Sequence, residues 1–332
     1  MKLHVLIAVV IVLTLGPVGV LSQTGELRPI ILIYSPFTPD WGARLAQLVE
    51  SDGRFDADVY VVDEKSIYEV VVNFPRVEAV VLCPLSRPQA ALDDISNMTV
   101  AFFKDGGAVI GIGTSCTTRY APKLGPEVFT MIGNRSIQAK KVGGRRVFVY
   151  HRREVLPEIN GGIEEDTFEL EGYLFFYPAN KKGEPVEIPA NGTRHVLYVA
   201  ENGAPLVVAY KANGGGASVA FPGLTVQEGE GRDNYYGYLF EREQFRELFL
   251  NSLKWAIDNS PRFERLKDTA ASRLEAEASR REELAREAER LQRRVKTRRY
   301  IRLAILWLVG IAFCSVVTYK VILVRENSEE KT

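Results

Sequence analysis

Histidine and cysteine are scarce in this chain, three of each in 332 residues, and that scarcity removes whole classes of chemistry. His4, His151 and His195 lie far apart, and Cys83, Cys116 and Cys314 show neither zinc spacing nor a disulfide framework. No metal centre built on clustered His and Cys is expected, and no cofactor. Net charge is absent as well, with 42 basic residues against 42 acidic ones, which argues against nucleic acid as a partner. The balance conceals a basic crowd from Arg290 to Arg302. Glycine and proline are missing between Pro261 and Gly310, an interval that opens rich in Ala, Glu, Arg and Leu. A stretch without breakers reads as a long helix.

Two apolar runs stand at the ends. Met1-Lys2-Leu3-His4 leads into a run from Val5 to Val20 that closes on Val20-Leu21-Ser22. A basic start, an apolar middle and small residues before the cut make residues 1–22 a signal peptide, with an uncleaved anchor as the alternative. Leu303 to Val324 carries Lys320 as its only charge. It has the length of a membrane-spanning helix, roughly 20 residues. The expectation is a cell-membrane protein with one C-terminal span, a short tail over 325–332 and an extracytoplasmic domain. The basic cluster before the span opposes that orientation, but the first apolar segment usually decides it. The triplets Asn97-Met98-Thr99, Asn134-Arg135-Ser136 and Asn191-Gly192-Thr193 are glycosylation sequons compatible with the outside.

Between the runs, short apolar strands alternate with helical stretches. Ile30–Tyr34, Asp58–Val62, Glu78–Cys83 and Ala108–Ile112 read as strands of a buried parallel sheet, with helices over Trp41–Val49 and Ala91–Lys104. This is the rhythm of a doubly wound α/β domain. Arg145–His151, Gly172–Tyr177, His195–Ala200 and Pro205–Tyr210 suggest an antiparallel insertion, the last two as a hairpin across Glu201-Asn202-Gly203. Ala217–Phe221 returns to the core, and Phe245–Asp258 closes the domain as a helix. The domain is therefore set at 29–258, a helical stalk at 262–300 and the span at 303–324. Leu266, Ala270, Leu274, Ala278, Leu284, Ala288, Leu291 and Val295 form an apolar stripe along the stalk. It reads as a coiled coil joining its own copy or a partner subunit, or as a solvated rod.

The chemistry centres on the turn after Ala108–Ile112. A strand running into a helix through a tight elbow holds the nucleophile in many α/β enzymes, and here that position is Gly113. Thr114 and Ser115 open the following helix, where amides and hydroxyls bind an anion or simply cap the helix. Cys116 stands close to a helix start, which lowers a thiol pKa, although packing is the commoner role of a lone cysteine. Cys83 ends a neighbouring strand, and an exported compartment permits a disulfide with Cys116, although two free thiols are the favoured reading because a bridge needs Cα atoms within about 7 Å. Ser35, Thr38, Asp63 and Ser86, at or near strand ends, would complete a ligand pocket on fold analogy. His151 and His195 are read as ordinary strand residues. Tyr235-Tyr236-Gly237-Tyr238 is an aromatic loop that stacks on a sugar, meets a partner or packs on its own domain.

Several segments carry a resemblance. Phe102-Phe103-Lys104-Asp105-Gly106-Gly107-Ala108-Val109-Ile110-Gly111-Ile112, Pro205–Tyr210, Gly214–Phe221 and Asn251-Ser252-Leu253-Lys254-Trp255-Ala256 are similar to the class I glutamine-amidotransferase-like superfamily, in particular its ThuA-like branch. The resemblance implies a flavodoxin-like fold with its site at the carboxyl ends of the strands. Active amidotransferases place Cys at the elbow and His-Pro-Glu after the late strand; here stand Gly113 and Phe221-Pro222-Gly223. Without the couple no thiolate is activated. The whole-chain layout resembles both the auxiliary proteins of gliding-type ABC transporters and the 48-kDa-type oligosaccharyltransferase subunit. The expected function is a non-catalytic accessory subunit of a membrane complex. The alternative is a hydrolase or isomerase using Cys116 or polar groups at the elbow.

Overall fold

The computed structural model describes residues 28–36, 39–62, 75–84, 91–116, 123–131, 133–172, 174–224 and 239–269, then 271–272, 276, 279–280, 282–291, 300, 303 and 305–311. Its first strand, β1 (Ile30–Tyr34), is apolar at every position because both of its faces are covered. Ile31 and Ile33 share one core with Trp41, Leu45 and Val49 of α1 (Pro39–Glu50). Ile30, Leu32 and Tyr34 share the other with Ile95, Met98 and Phe102 of α2 (Ala91–Lys104). Each such side chain taken out of water contributes about 1.5–3 kcal/mol, which is what lets the sheet run through the middle of the domain.

β1 pairs in parallel with β2 (Asp58–Val62) and β3 (Val77–Leu82). β3 continues to β4 (Ala108–Ile112), and β4 to β12 (Ala217–Phe221), again in parallel. The order β2-β1-β3-β4-β12 is that of a flavodoxin-like, doubly wound sheet. The late strand closes the order because its chain returns through an insertion.

That insertion extends the same sheet in antiparallel fashion through β11 (Pro205–Ala212), β10 (Gly192–Val199), β7 (Arg145–Arg152) and β6 (Lys140–Val142), and with β8 (Thr167–Glu171) the sheet has 10 strands among the described residues. β8 joins β7 off this path. β5 (Arg135–Gln138) and β9 (Leu174–Tyr177) pair as a separate small sheet. The strand read over 172–177 is found as β9, beginning at Leu174, with β8 ending at Glu171 before it. At Gly172 a Cβ would stand 2.1 Å from the Gly223 carbonyl, so the backbone passes too close to its neighbour for a side chain. The hairpin across residues 201–203 is present, with Gly203 at φ +77° and its N–H on the Ala200 carbonyl at 2.8 Å.

The double glycine after α2 has a mechanical reason. Gly106 N–H bonds to the Phe103 carbonyl and Gly107 N–H to the Phe102 carbonyl, both at 3.0 Å, with Gly106 at φ +90°. This is a Schellman ending, which needs a left-handed residue and satisfies the last carbonyls of the helix. The next approach is closer still: a Cβ on Gly216 would lie 1.9 Å from the Gly107 carbonyl. Glycine is thus required at 216, where β12 comes beside β4, while a Cβ on Gly107 would strike the Phe102 ring at 2.2 Å.

The closing helix α3 (Glu243–Asp258) buries Phe245, Leu248, Phe249 and Leu253 against the α1 side of the sheet. Asn251 fixes its position: its Oδ1 accepts from Arg54 at 2.5 Å and its Nδ2 donates to the Ile159 carbonyl at 3.1 Å. Residues 262–269, read in the sequence as stalk, belong with the domain. Arg262, 7% exposed, donates to Asp105 at 3.0 Å and to the Val77 carbonyl at 2.5 Å, and its guanidinium lies 4.9 Å from the Phe102 ring centre.

The chain divides near residue 270 into two units. In the second, residues 282–291 are helical, Arg286 pairs with Glu282 at 2.6 Å, and Leu284 and Leu291 are about half exposed. Among the described residues no helix is long and apolar enough to cross a membrane. Residues 312–324 of the expected span lie outside the described residues, as do the expected leader, Leu274, Ala278 and Val295.

Candidate functional site

At the carboxyl end of β4 the chain makes the expected turn. Gly113 has φ +62°, and Gly113–Cys116 form one turn of 3-10 helix. A left-handed residue at this point suits glycine and leaves the nucleophile position without a side chain. Ser115 is fully buried and points back into the sheet. Its hydroxyl accepts the Ile112 N–H at 2.9 Å and shares its proton between the carbonyls of Leu82, at 3.1 Å, and Ile112, at 2.9 Å. It ties the end of β4 to the end of β3. That is a structural role distinct from helix capping.

Cys116 is fully buried beneath the turn. A Cβ on Gly111 would meet its sulfur at 2.7 Å and the Phe129 ring at 2.4 Å, so thiol and ring fill the space that the glycine leaves. Burial pushes the Cys116 thiol up to about 12, against smaller lowering contributions from the Phe221 backbone and the Ser115 hydroxyl. Cys116 thus takes the packing role, and the reactive alternative of a lowered pKa at a helix start is opposed by burial. A single 3-10 turn supplies little dipole, and desolvation dominates.

Cys83 follows β3 directly, its N–H on the Tyr34 carbonyl at 2.9 Å. Its thiol is raised to about 12 by burial, with the Ser35 hydroxyl opposing. The disulfide alternative is not realised, for both cysteines are free. Cys83 packs with Val81, Ile110 and Ile112 in one core, and Cys116 with Val80, Val109 and Phe129 in the other. The sheet separates them.

Of the anticipated ligand groups, Ser35 stands after β1 beside Cys83 at the end of β3, and Gly113, Thr114 and Ser115 stand together at the end of β4. Ser35 is buried at 4%, and a Cβ on Gly42 would press on it at 2.5 Å, so α1 begins directly against it. Thr38, Asp63 and Ser86 lie outside the described residues, as does Tyr235–Tyr238. His151 and His195 sit on the inserted strands, His195 beside Glu154 at 3.3 Å. Among the described residues no group of His, Cys, Asp and Glu could hold a metal ion.

The insertion contributes two residues for which the sequence offers no signal. Tyr150 is fully buried, and its hydroxyl has no hydrogen-bond partner among the described residues. A Cβ on Gly223 would come within 3.0 Å of that hydroxyl. Burial raises its phenol well above the usual range, reinforced by Glu171 and Cys116. Glu171, 5% exposed, lies 3.6 Å from Arg145 and 3.7 Å from Arg242. In TFELE the alternation assigns Phe168 and Leu170 to the core and leaves Glu171 as an ordinary outward residue. Only the pairing of β8 with β7 shows otherwise.

No family model matches the chain, and no curated protein matches it. Among solved structures it is similar to a putative ThuA-like protein from Bacteroides uniformis, at 10% identity and TM-score 0.49, covering 72% of this chain and 96% of that one. A putative ThuA-like protein from Parabacteroides merdae matches at 16% identity and TM-score 0.45, covering 71% and 91%. A glutamine amidotransferase from Thermotoga maritima matches at 11% and 0.45, covering 70% and 100%. These likenesses concern the fold alone and assign no activity.

A thiol probe measures the state of the elbow directly. In a Cys314→Ser background, neither Cys83 nor Cys116 is expected to label in the native protein, and both should label after unfolding. A thiol at about 12 rather than 9 carries about a thousandfold less thiolate near neutral pH, on top of the steric block. Fast stoichiometric labelling of native Cys116 at pH 7 would restore it as a nucleophile.

Proposed function

We propose that this chain is an exported, membrane-anchored accessory subunit whose α/β domain works by contact and not by covalent catalysis. The observation that carries this reading is the elbow: Gly113 offers no side chain, Ser115 is spent on strand carbonyls, and Cys116 is sealed in the core. The alternative hydrolase or isomerase would use a thiolate at Cys116, which burial opposes, or polar groups at the elbow, where the Ser115 hydroxyl is bound to the Leu82 and Ile112 carbonyls. The family that the sequence resembles, the ThuA-like branch of the amidotransferase-like superfamily, supplies the scaffold without its Cys-His couple.

Attachment to the bilayer is supported by the helix over 305–311. Leu306, Trp307, Leu308 and Val309 are successive residues, each between 60% and 73% exposed. An apolar helix bare on all sides calls for lipid or protein around it. Assembly is supported by Leu284 and Leu291, large apolar residues seven positions apart on a charged helix. Covering each would contribute about 1 kcal/mol. The occupant is a second copy or a helix of a transporter-type or glycosyltransferase-type complex.

Crosslinking tests this. Single cysteines at Leu284 and Leu291, in native membranes, should capture a self-contact or a partner helix. Leu284→Glu with Leu291→Glu should abolish the adduct formed by a third cysteine on the same stripe while the domain's thermal transition stays unchanged. Capture of nothing from either position would reduce the stalk to a spacer and remove the subunit reading.

A further inference from the structure

We propose that Asn191 is an N-glycosylation site of the folded protein, and that Asn97 and Asn134 are not, although all three stand in sequons. The geometry separates them. Asn97 and Thr99 lie two positions apart on α2, which places them on different sides of the helix. Asn97 is exposed, whereas Thr99 is fully buried, so a transferase cannot reach amide and hydroxyl together. Asn134 is exposed, but both ends of its amide are engaged. Its Nδ2 donates to the Ala179 carbonyl and its Oδ1 accepts the Ala179 N–H, each at 2.7 Å. That clamp holds the entry to β5 against the chain after β9, and a glycan on Nδ2 removes a donor from it.

Asn191 differs on each count. It precedes β10 and extends the ladder by one step, its carbonyl accepting the Asn213 N–H at 3.0 Å. Extended alternation puts residues 191 and 193 on one side, and both are exposed. Between them Gly192 presses on β11, where a Cβ would fall 2.1 Å from the Lys211 carbonyl. The Asn191 Oδ1 accepts from Asn213 at 3.3 Å, and among the described residues its Nδ2 makes no hydrogen bond. The segment is also able to open. Among the described residues β10 pairs with β7 only at Tyr198 and Val199, which leaves its first half one edge without a partner strand, and residues 186–190 before it form neither strand nor helix. Local opening costs least in such places.

The donor is an oligosaccharide on a polyprenyl phosphate or pyrophosphate. The Asn191 Nδ2 forms a bond to C1 of the first sugar, and the C1–O bond to the phosphate breaks. The lipid phosphate leaves with the electron pair, and the amide gives one proton to a carboxylate of the transferase. Nothing is oxidised or reduced.

Modification in the cell rests on the exported reading above, but acceptance by the folded chain does not. The test is therefore made on the purified full-length protein in detergent, native or urea-unfolded and then diluted. A single-subunit oligosaccharyltransferase of Asn-x-Ser/Thr specificity and a lipid-linked oligosaccharide are added, and intact mass is read. The folded chain should gain one glycan mass, lost in Asn191→Gln and in Thr193→Ala and retained in Asn97→Gln and Asn134→Gln. The unfolded chain should gain more than one. A folded chain that gains none, or gains its glycan at Asn97 or Asn134, overturns the assignment. Acceptance at Asn191 in vitro with an unmodified Asn191 in protein from native membranes of a glycosylating cell would count against export alone.

Discussion

Replacing Arg262 by alanine is expected to destabilise the domain by about 2–3 kcal/mol, although the residue stands outside the sheet and belongs to no candidate site. Its guanidinium is buried and joins partners from distant parts of the chain: the Asp105 carboxylate at 3.0 Å, the Val77 carbonyl at 2.5 Å and the face of Phe102. Asp105 is half exposed, so water replaces the arginine there at small cost. The loss comes from the Val77 carbonyl, left without its side-chain donor, and from the bared Phe102 ring. Arg262→Lys should recover only part of it, since an ammonium cannot stack and fork at once. Arg265→Ala should cost less than 1 kcal/mol, because that residue is 55% exposed. Urea unfolding followed by the fluorescence of buried Trp41 and Trp255 would rank them. Equal midpoints for Arg262→Ala and Arg265→Ala would show that Arg262 is a surface contact.

The parallel half of the fold is legible in the sequence because burial on both faces forces unbroken apolar strands, as in Ile30–Tyr34 and Ala108–Ile112. The Schellman ending at Gly106-Gly107 is legible for a similar reason, since a positive φ selects glycine. The insertion is less so. β6 is exposed throughout and β8 alternates, and neither pattern says which strand it will pair with. At the site, the absence of a side chain at Gly113 is readable from the residue itself. The fate of Cys116 is not: nearness to a helix start suggests a lowered pKa, while the burial that reverses it depends on Phe129, Gly111 and Phe221 closing around the sulfur. The Cys83–Cys116 pairing fails similarly. Adjacent strand ends place the two close in topology, and only the face of the sheet on which each thiol lies keeps them apart.

Stability is expected to fall as pH rises from about 5 to about 8, by about 2–3 kcal/mol, through one carboxyl at the base of the sheet. Glu78 stands second in β3, and its pKa is raised from 4.5 to about 7. Burial is the main cause; Glu264 and Asp258 add repulsion, and Lys254 opposes. Because the native value lies above the unfolded one, the native state holds the proton through the interval between them while the unfolded chain has released it. The stabilisation is complete below about 4.5 and is lost as pH climbs through about 7. Glu78→Gln keeps the shape without the charge. It should flatten this part of the profile and stabilise the protein at pH 8 by a similar amount. Glu264→Gln should remove part of the slope, since it removes one source of repulsion and leaves the burial. Glu264 lies in the segment that Arg262 fastens to the sheet, so attraction and repulsion act on one junction. At pH 8 the ionised Glu78 works against the clamp, and the Arg262→Ala variant should lose more of its remaining stability there than at pH 5. Urea midpoints at the two pH values for wild type, Glu78→Gln and Arg262→Ala check the scheme. Parallel profiles for wild type and Glu78→Gln would mean that some other group carries the pH dependence.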